Sequence, residues 1–238
     1  MLAPADFFDL AAFEHRDLFA ALDRVWDALP RLAGYLTVYL AARSALRLGL
    51  VHEGAFVGDG VFLAEGSVVE PGAYVGGPSI IGPRSVVRHG AYVRSGVVVG
   101  ADCIIGHASE VKNAVFLDGS AAPHFAYVGD SILGNRVNLG AGTKLSNFAM
   151  TNDPLGDPAR WSTIRIPVDG TVHDTGVPKL GAVLGDDVQL GCNSVTNPGC
   201  LVGPRTLVYA GTCLRTGYYG ADQVVKLRQT QVATARRR

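Results

Sequence analysis

One aliphatic residue recurs every six positions, without a break, over the first half of the chain: Val51, Val57, Leu63, Val69, Val75, Ile81, Val87, Val93, Val99, Ile105, Val111 and Leu117. Four positions after each sits a small or β-compatible residue: Ala55, Val61, Ser67, Ala73, Ser79, Ser85, Ala91, Val97, Cys103, Ser109, Val115 and Ala121. This period suits a short strand and a turn, repeated as a solenoid whose units bury their apolar posts against one another. Three units make a coil of 18 residues, so residues 18 apart stack on adjacent rungs, roughly 4.8 Å away. The phase is lost after Leu117. It returns at Leu133, Leu139 and Leu145, and again from Leu184 through Leu190, Thr196, Val202 and Val208 to Leu214. The pattern predicts an all-β solenoid, a parallel β-helix of roughly seven or eight coils. Gly and Pro cluster at the expected corners, as in Pro71-Gly72 and Gly203-Pro204, where tight turns need them.

Three segments stand outside the repeat. Residues 1–48 carry Leu18, Phe19, Leu22, Val25, Trp26 and Leu29 at helical spacing. Pro30 is expected to end or kink that helix, a second is expected over 36–48, and together they would cap the open first coil. Residues 149–182 form an inserted loop, with a hairpin predicted from 163–168 and 171–174 across Asp169-Gly170. Residues 221–238 read as a basic, helical tail. Zero formal net charge argues against an electrostatically driven nucleic-acid partner. No apolar stretch is long enough for a membrane span, and the first residues lack the basic region of a signal peptide. Four cysteines without a CxxC pair, two of them (Cys103 and Cys200) at small core posts, read as reduced packing residues of a cytoplasmic protein.

The residue after each aliphatic post is usually small or acidic, and Arg88, Arg94 and Lys112 depart from that rule. Arg94 and Lys112 are 18 apart, so two like charges stack on one face. Such a pair calls for an anion such as a phosphate, or else for splayed side chains or a partner in Glu110. His124 lies where the six-step shortens. Histidine is the natural general base near neutral pH, and Glu110 is a carboxylate that could orient it. His89, His107 and His124 are separated by 18 and 17. A shared column of three would raise a zinc site, but His124 falls after the slip, and no metal is assigned.

The segments Glu110-Val-Lys112-Asn, His124-Phe-Ala-Tyr127-Val-Gly-Asp-Ser and Asn138-Leu-Gly-Ala141-Gly-Thr, then Gly185-Asp-Asp and Gly191-Cys-Asn, resemble a known family. It is the acetyltransferase domain of bifunctional N-acetylglucosamine-1-phosphate uridylyltransferase/glucosamine-1-phosphate acetyltransferase enzymes and related sugar-1-phosphate enzymes. The resemblance covers about half of the chain, from Arg94 onward. It implies a left-handed β-helix and an acetyl-CoA-dependent N-acetyltransferase acting on an amino-sugar phosphate, by direct attack of the amine on the thioester. His124 would be the base, with Glu110 holding its ring. Arg94, Lys112, Tyr127, Asn138 and Lys179 would bind the amino-sugar phosphate. A backbone amide near Ala141 would meet the thioester, with Asn147, Phe148, Cys192, Ala210, Lys226 and Arg228 as further coenzyme contacts. A homotrimer with sites between subunits follows from the same resemblance. The chain departs from the family at Ser146-Asn147-Phe148-Ala149-Met150, where a Tyr and an Asp are replaced, and at Pro123, where Gly is usual. Residues 1–48 hold no glycine-rich nucleotide loop, so nucleotidyl transfer is not expected of this chain. A non-catalytic β-helix that binds sugar phosphates, or assembles with a nucleotidyltransferase, is the alternative.

Overall fold

The computed structural model describes residues 2–43 and 46–228. In it the six-residue period winds into three parallel sheets of nine, eight and eight strands. The first sheet runs from Leu50–Val51 to Val224–Val225, the second from Phe56–Val57 to Cys213–Leu214, and the third from Val61–Leu63 to Gly217–Tyr219. These make eight complete coils and the first strand of a ninth, around a core of Val, Ile and Leu posts that water does not reach. Each strand pairs with its counterpart one coil later, as in Val68↔Val86 and Tyr74↔Tyr92.

The register shifts earlier than the aliphatic series indicates. Spacing is 18 residues at Val93↔Val111 and 17 at Val97↔Ala114, so one residue is lost in between. The corner Arg94-Ser95-Gly96 of one coil becomes Lys112-Asn113 in the next and Gly129-Asp130 in the one after. Asn113 and Asp130 turn these short corners with φ of 44° and 47°, a left-handed conformation that Asn and Asp enter more readily than most residues. In consequence Phe116 fills the core in place of Leu117, and Ala122 and Val128 are the next posts. Ala114 and Ser120 likewise sit where Val115 and Ala121 were expected; Val115 and Leu117 instead face outward. The shortening therefore precedes His124 by the third-sheet strand Ala114–Phe116 and the first-sheet strand Ala121–His124, almost two faces of the coil.

The N-terminal segment covers a side of the solenoid, not its end. The middle residues of the third sheet point outward and are apolar (Phe62, Ile80, Val98, Val115, Ile132, Val183, Leu201), and all are buried. Phe7, Phe13, Trp26, Leu32 and Leu36 pack on them, which offsets the cost of ordering this segment. Among the described residues one α-helix forms, α1 (Ala28–Ala41); Leu18, Phe19, Val25 and Trp26 lie in short 3-10 turns. Pro30 falls in the first turn of α1, where its missing N–H costs nothing, so it admits the helix that it was expected to stop. Nor does a helix extend to residue 48: Leu46 and Leu48 bond to Leu63, and Arg47 donates to the Val57 and Gly58 carbonyls, closing the first coil's edge.

The insertion carries the expected hairpin, Arg165–Val168 paired with Thr171–Asp174. The basic tail is less helical than expected, since Val224–Val225 opens a ninth coil; residues 229–238 lie outside the described residues. Burial pushes the Cys103 thiol up to about 12, as befits a packing residue. No helix among the described residues is long and apolar enough to cross a membrane.

His15 is buried in the N-terminal layer, its Nδ1 2.8 Å from the Tyr35 hydroxyl, and burial lowers its pKa from 6.5 to about 4. The ring is neutral in both states above pH 6.5. As pH falls from 6.5 towards 4 the unfolded chain takes up a proton that the folded chain refuses, so stability is lost across that window, up to about 3 kcal/mol. Urea unfolding at pH 7 and pH 4.5 should show this loss, and His15→Gln should reduce it.

Candidate active site

The corner between the second and third sheets collects three of the cationic residues singled out by sequence, Arg94, Lys112 and Lys179. Arg94 and Lys112 project from adjacent rungs, Tyr127 stands on the next, and the insertion leaves the solenoid one rung further on, at 146–181. Because the insertion starts there, its ends fold back over the short corners. Phe148 and Lys179 pair as an antiparallel bridge. Together Arg94, Lys112, Tyr127, Asn147, Phe148 and Lys179 line a cavity of about 170 Å³, joined by Pro154 and Trp161.

Asp130 organises this cavity. Its carboxylate, 7% exposed, accepts from Lys112 Nζ at 3.0 Å, from Asn113 Nδ2 at 2.8 Å and from Asn147 Nδ2. Asn147 Oδ1 in turn accepts from the Tyr127 hydroxyl at 3.4 Å. Burial, then the Asp130 and Glu110 carboxylates, raise the Tyr127 pKa, so its hydroxyl remains a donor. Gly129 makes the network possible: a Cβ there would lie 2.6 Å from the Tyr127 hydroxyl and 2.8 Å from Asn147 Nδ2. Lys179 Nζ lies 4.7 Å from the centre of the Trp161 ring and 5.5 Å from that of Phe148, whose rings meet edge to face. Phe148 therefore holds a cation by its face, where a tyrosine would add a hydroxyl. Three cations face two carboxylates here, leaving an excess of positive charge suited to a phosphate.

Glu110 turns to Arg94, whose Nη1 donates to it at 3.2 Å. It is on the second sheet, and no bond joins it to His124, whose ring is exposed at the end of a first-sheet strand. His124 belongs to a different edge, the corner between the first and second sheets. Gly142 N–H donates to the His124 carbonyl, Asn193 N–H to that of Ala141, and Gly211 N–H to that of Cys192. His124, Ala141, Cys192 and Ala210 thus descend one corner rung by rung, and Lys226 follows with its Nζ 4.9 Å from the Tyr209 ring centre. Asn138 lies on the same first sheet as His124, near the start of its strand, and Arg228 closes the described chain. Asn147 and Phe148 are with the cations, apart from the Ala141 column.

His89 and His107 do stack, 5.5 Å apart and 7° from parallel, each with Nδ1 on a backbone carbonyl. The backbone register pairs His107 with His124, so the shortened corner does not take His124 off this column, but the ring stack passes instead to Phe125, 5.3 Å from His107. Among the described residues no group of three or more His, Cys, Asp or Glu could hold a metal ion. Sequence reasoning missed Asp130 and Trp161. Asp130 stood inside the Tyr127-Val-Gly-Asp-Ser segment, and Trp161 is one of two tryptophans and the single Phe, Tyr or Trp of residues 149–182. Replacing Asp130 with Ala strands Lys112 and Asn147; a loss of about 2–4 kcal/mol in urea unfolding is expected.

A family model described as the GMPPB C-terminal domain matches residues 75–209. The bifunctional sugar-1-phosphate nucleotidylyltransferase/acetyltransferase of Sulfurisphaera tokodaii is 34% identical over 98 residues, 41% of this chain and 22% of that protein. The bifunctional protein GlmU of Methanococcus maripaludis is 28% identical over 124 residues, 52% of this chain and 28% of that protein. The chain thus spans about a quarter of the length of these curated relatives. Among solved structures, a complex of Caulobacter crescentus perosamine N-acetyltransferase with CoA and GDP-perosamine is 17% identical, with a TM-score of 0.30, covering 84% of this chain and 63% of that one. With more than half of its 238 residues matched by one model, the chain belongs to the GMPPB C-terminal domain family.

Proposed function

We propose that this protein transfers an acetyl group from acetyl-CoA to the amine of an amino-sugar phosphate. The observation that carries the reading is the pairing of two half-sites on opposite edges of the second sheet. One is the cavity of Arg94, Lys112 and Lys179. The other is His124 above the column of Ala141, Cys192 and Ala210. Small side chains along that column leave a track for an extended thioester. Acetyl-CoA supplies the activated acyl carbon. His124 takes a proton from the amine as the new N–C bond forms, and returns it to the sulfur as the C–S bond breaks. A backbone N–H near Ala141 steadies the carbonyl oxygen as it gains charge. The three cations hold the phosphate, so the amine is presented at a fixed distance. A homotrimer would set the cavity of one copy against the His124 edge of the next. Glu110 keeps Arg94 in place in this reading, and the His124 ring is oriented by substrate or by the neighbouring copy.

Phe148 and Ala149 favour a second reading, a β-helix that binds sugar phosphates or assembles with a nucleotidyltransferase without catalysis. Thiol release from acetyl-CoA, with glucosamine-1-phosphate and galactosamine-1-phosphate, separates the two. The transferase predicts release that requires the sugar and falls about 10²–10⁴-fold in His124→Ala, whereas Lys112→Ala raises KM for the sugar. Absence of release, with no binding of coenzyme A by calorimetry, would leave the scaffold.

A further inference from the structure

Arg94 is shared by two cavities. One is the cationic pocket; the other, of about 440 Å³, runs along the second sheet towards the first coil. Its wall is an aromatic ladder: Phe56 and Tyr74 stack at 4.6 Å and 12°, and Tyr92 follows Tyr74 at 5.2 Å. All three are 39–52% exposed. Its floor is glycine, with Gly58 and Gly76 occupying the rung positions that Arg94 and Lys112 fill below. A Cβ at Gly76 would lie 2.3 Å from the Arg94 carbonyl and 3.2 Å from Tyr74 Cε1, so the rings lean over a trough that only glycine leaves open.

A sugar phosphate fills the cationic pocket and leaves this trough unused. A planar group linked to the phosphate would use both. From Tyr74 to the Arg94 and Lys112 rungs is one to two rungs, roughly 5–10 Å, the span of a ribose between base and diphosphate. Resting on the acetyltransferase reading, we infer that the acceptor is a nucleotide-linked amino sugar, with its base against Tyr74 and Tyr92 and its diphosphate on Arg94 and Lys112. Aromatic stacking accepts any base, so the ladder selects for a nucleotide and not for one nucleobase.

Calorimetry on the assembled protein with UDP, GDP, inorganic pyrophosphate and glucosamine-1-phosphate tests this. At least one nucleoside diphosphate should bind about tenfold or more tighter than pyrophosphate. Tyr92→Ala should remove roughly 5- to 100-fold of that affinity while glucosamine-1-phosphate binds as before. Nucleoside diphosphates that bind no better than pyrophosphate would overturn the inference. So would Tyr74→Ala or Tyr92→Ala variants that lose oligomeric mass by light scattering, which would assign the ladder to a second copy of the chain. Acetylation of glucosamine-1-phosphate, measured alongside, keeps the two readings apart. If it proceeds while nucleotide binding fails, only the stacking site is lost. If nucleotide binds in the ladder-dependent way and no amine is acetylated, only the transferase is lost.

Discussion

The cationic pocket depends on one buried carboxylate. Asp130 sits at a corner one residue shorter than the solenoid's period, in a left-handed conformation, and gathers Lys112, Asn113 and Asn147 around itself. An isolated lysine and carboxylate at this depth would each be costly. Here both are hydrogen-bonded, and the pair fixes the height of Lys112 relative to Tyr127 and to the first residues of the insertion. The contrast with Arg94 is instructive. Its bond to Glu110 joins two side chains that are 47% and 38% exposed, a type of pair that contributes little to stability. Arg94 is therefore free to exchange Glu110 for a ligand phosphate, while Lys112 stays where Asp130 holds it.

A second constraint is the division of the three faces. The third sheet is sealed by the N-terminal layer, whose Phe7, Trp26 and Leu36 lie on its outward apolar row. The second sheet remains open, with an aromatic ladder on its upper rungs and charged residues on the middle ones. Both edges of that open sheet carry the residues assigned to chemistry. The proposed machinery is divided between them: Arg94, Lys112 and Lys179 line the cavity at one corner, and His124 stands at the other. That asymmetry is the physical reason for placing two copies of the chain in one site.

Much of the solenoid was legible because its period is short and its core posts are aliphatic. The error at Leu117 arose because that leucine kept the count of six while the chain had already dropped a residue at Asn113; only pairing, Val99 with Phe116, reveals it. The outward row of the third sheet was legible too, as an extra apolar residue inside each of the runs at 61–63, 79–81 and 97–99, but a reading of one post per six residues passed over it. Pro30 misled because proline both ends helices and begins them. Arg94, Lys112, Tyr127, Asn147, Phe148 and Lys179 were named from sequence and lie together, since they sit on stacked rungs or at the roots of one insertion. Trp161 and Pro154 could not be placed, because the path of a long insertion is set by tertiary packing.

Sharing of one site between two copies of the chain is the most direct consequence of the proposed acetyl transfer. Lys112→Ala, silent at sugar concentrations far below its raised KM, and His124→Ala, silent in the chemical step, would be co-expressed so that mixed oligomers form and assayed at low sugar, with composition read by native mass spectrometry. If the cavity of one copy works with the His124 edge of its neighbour, mixed oligomers contain some intact sites and recover part of the acetyltransferase activity. Mixed oligomers that stay as inactive as either variant alone would contradict it.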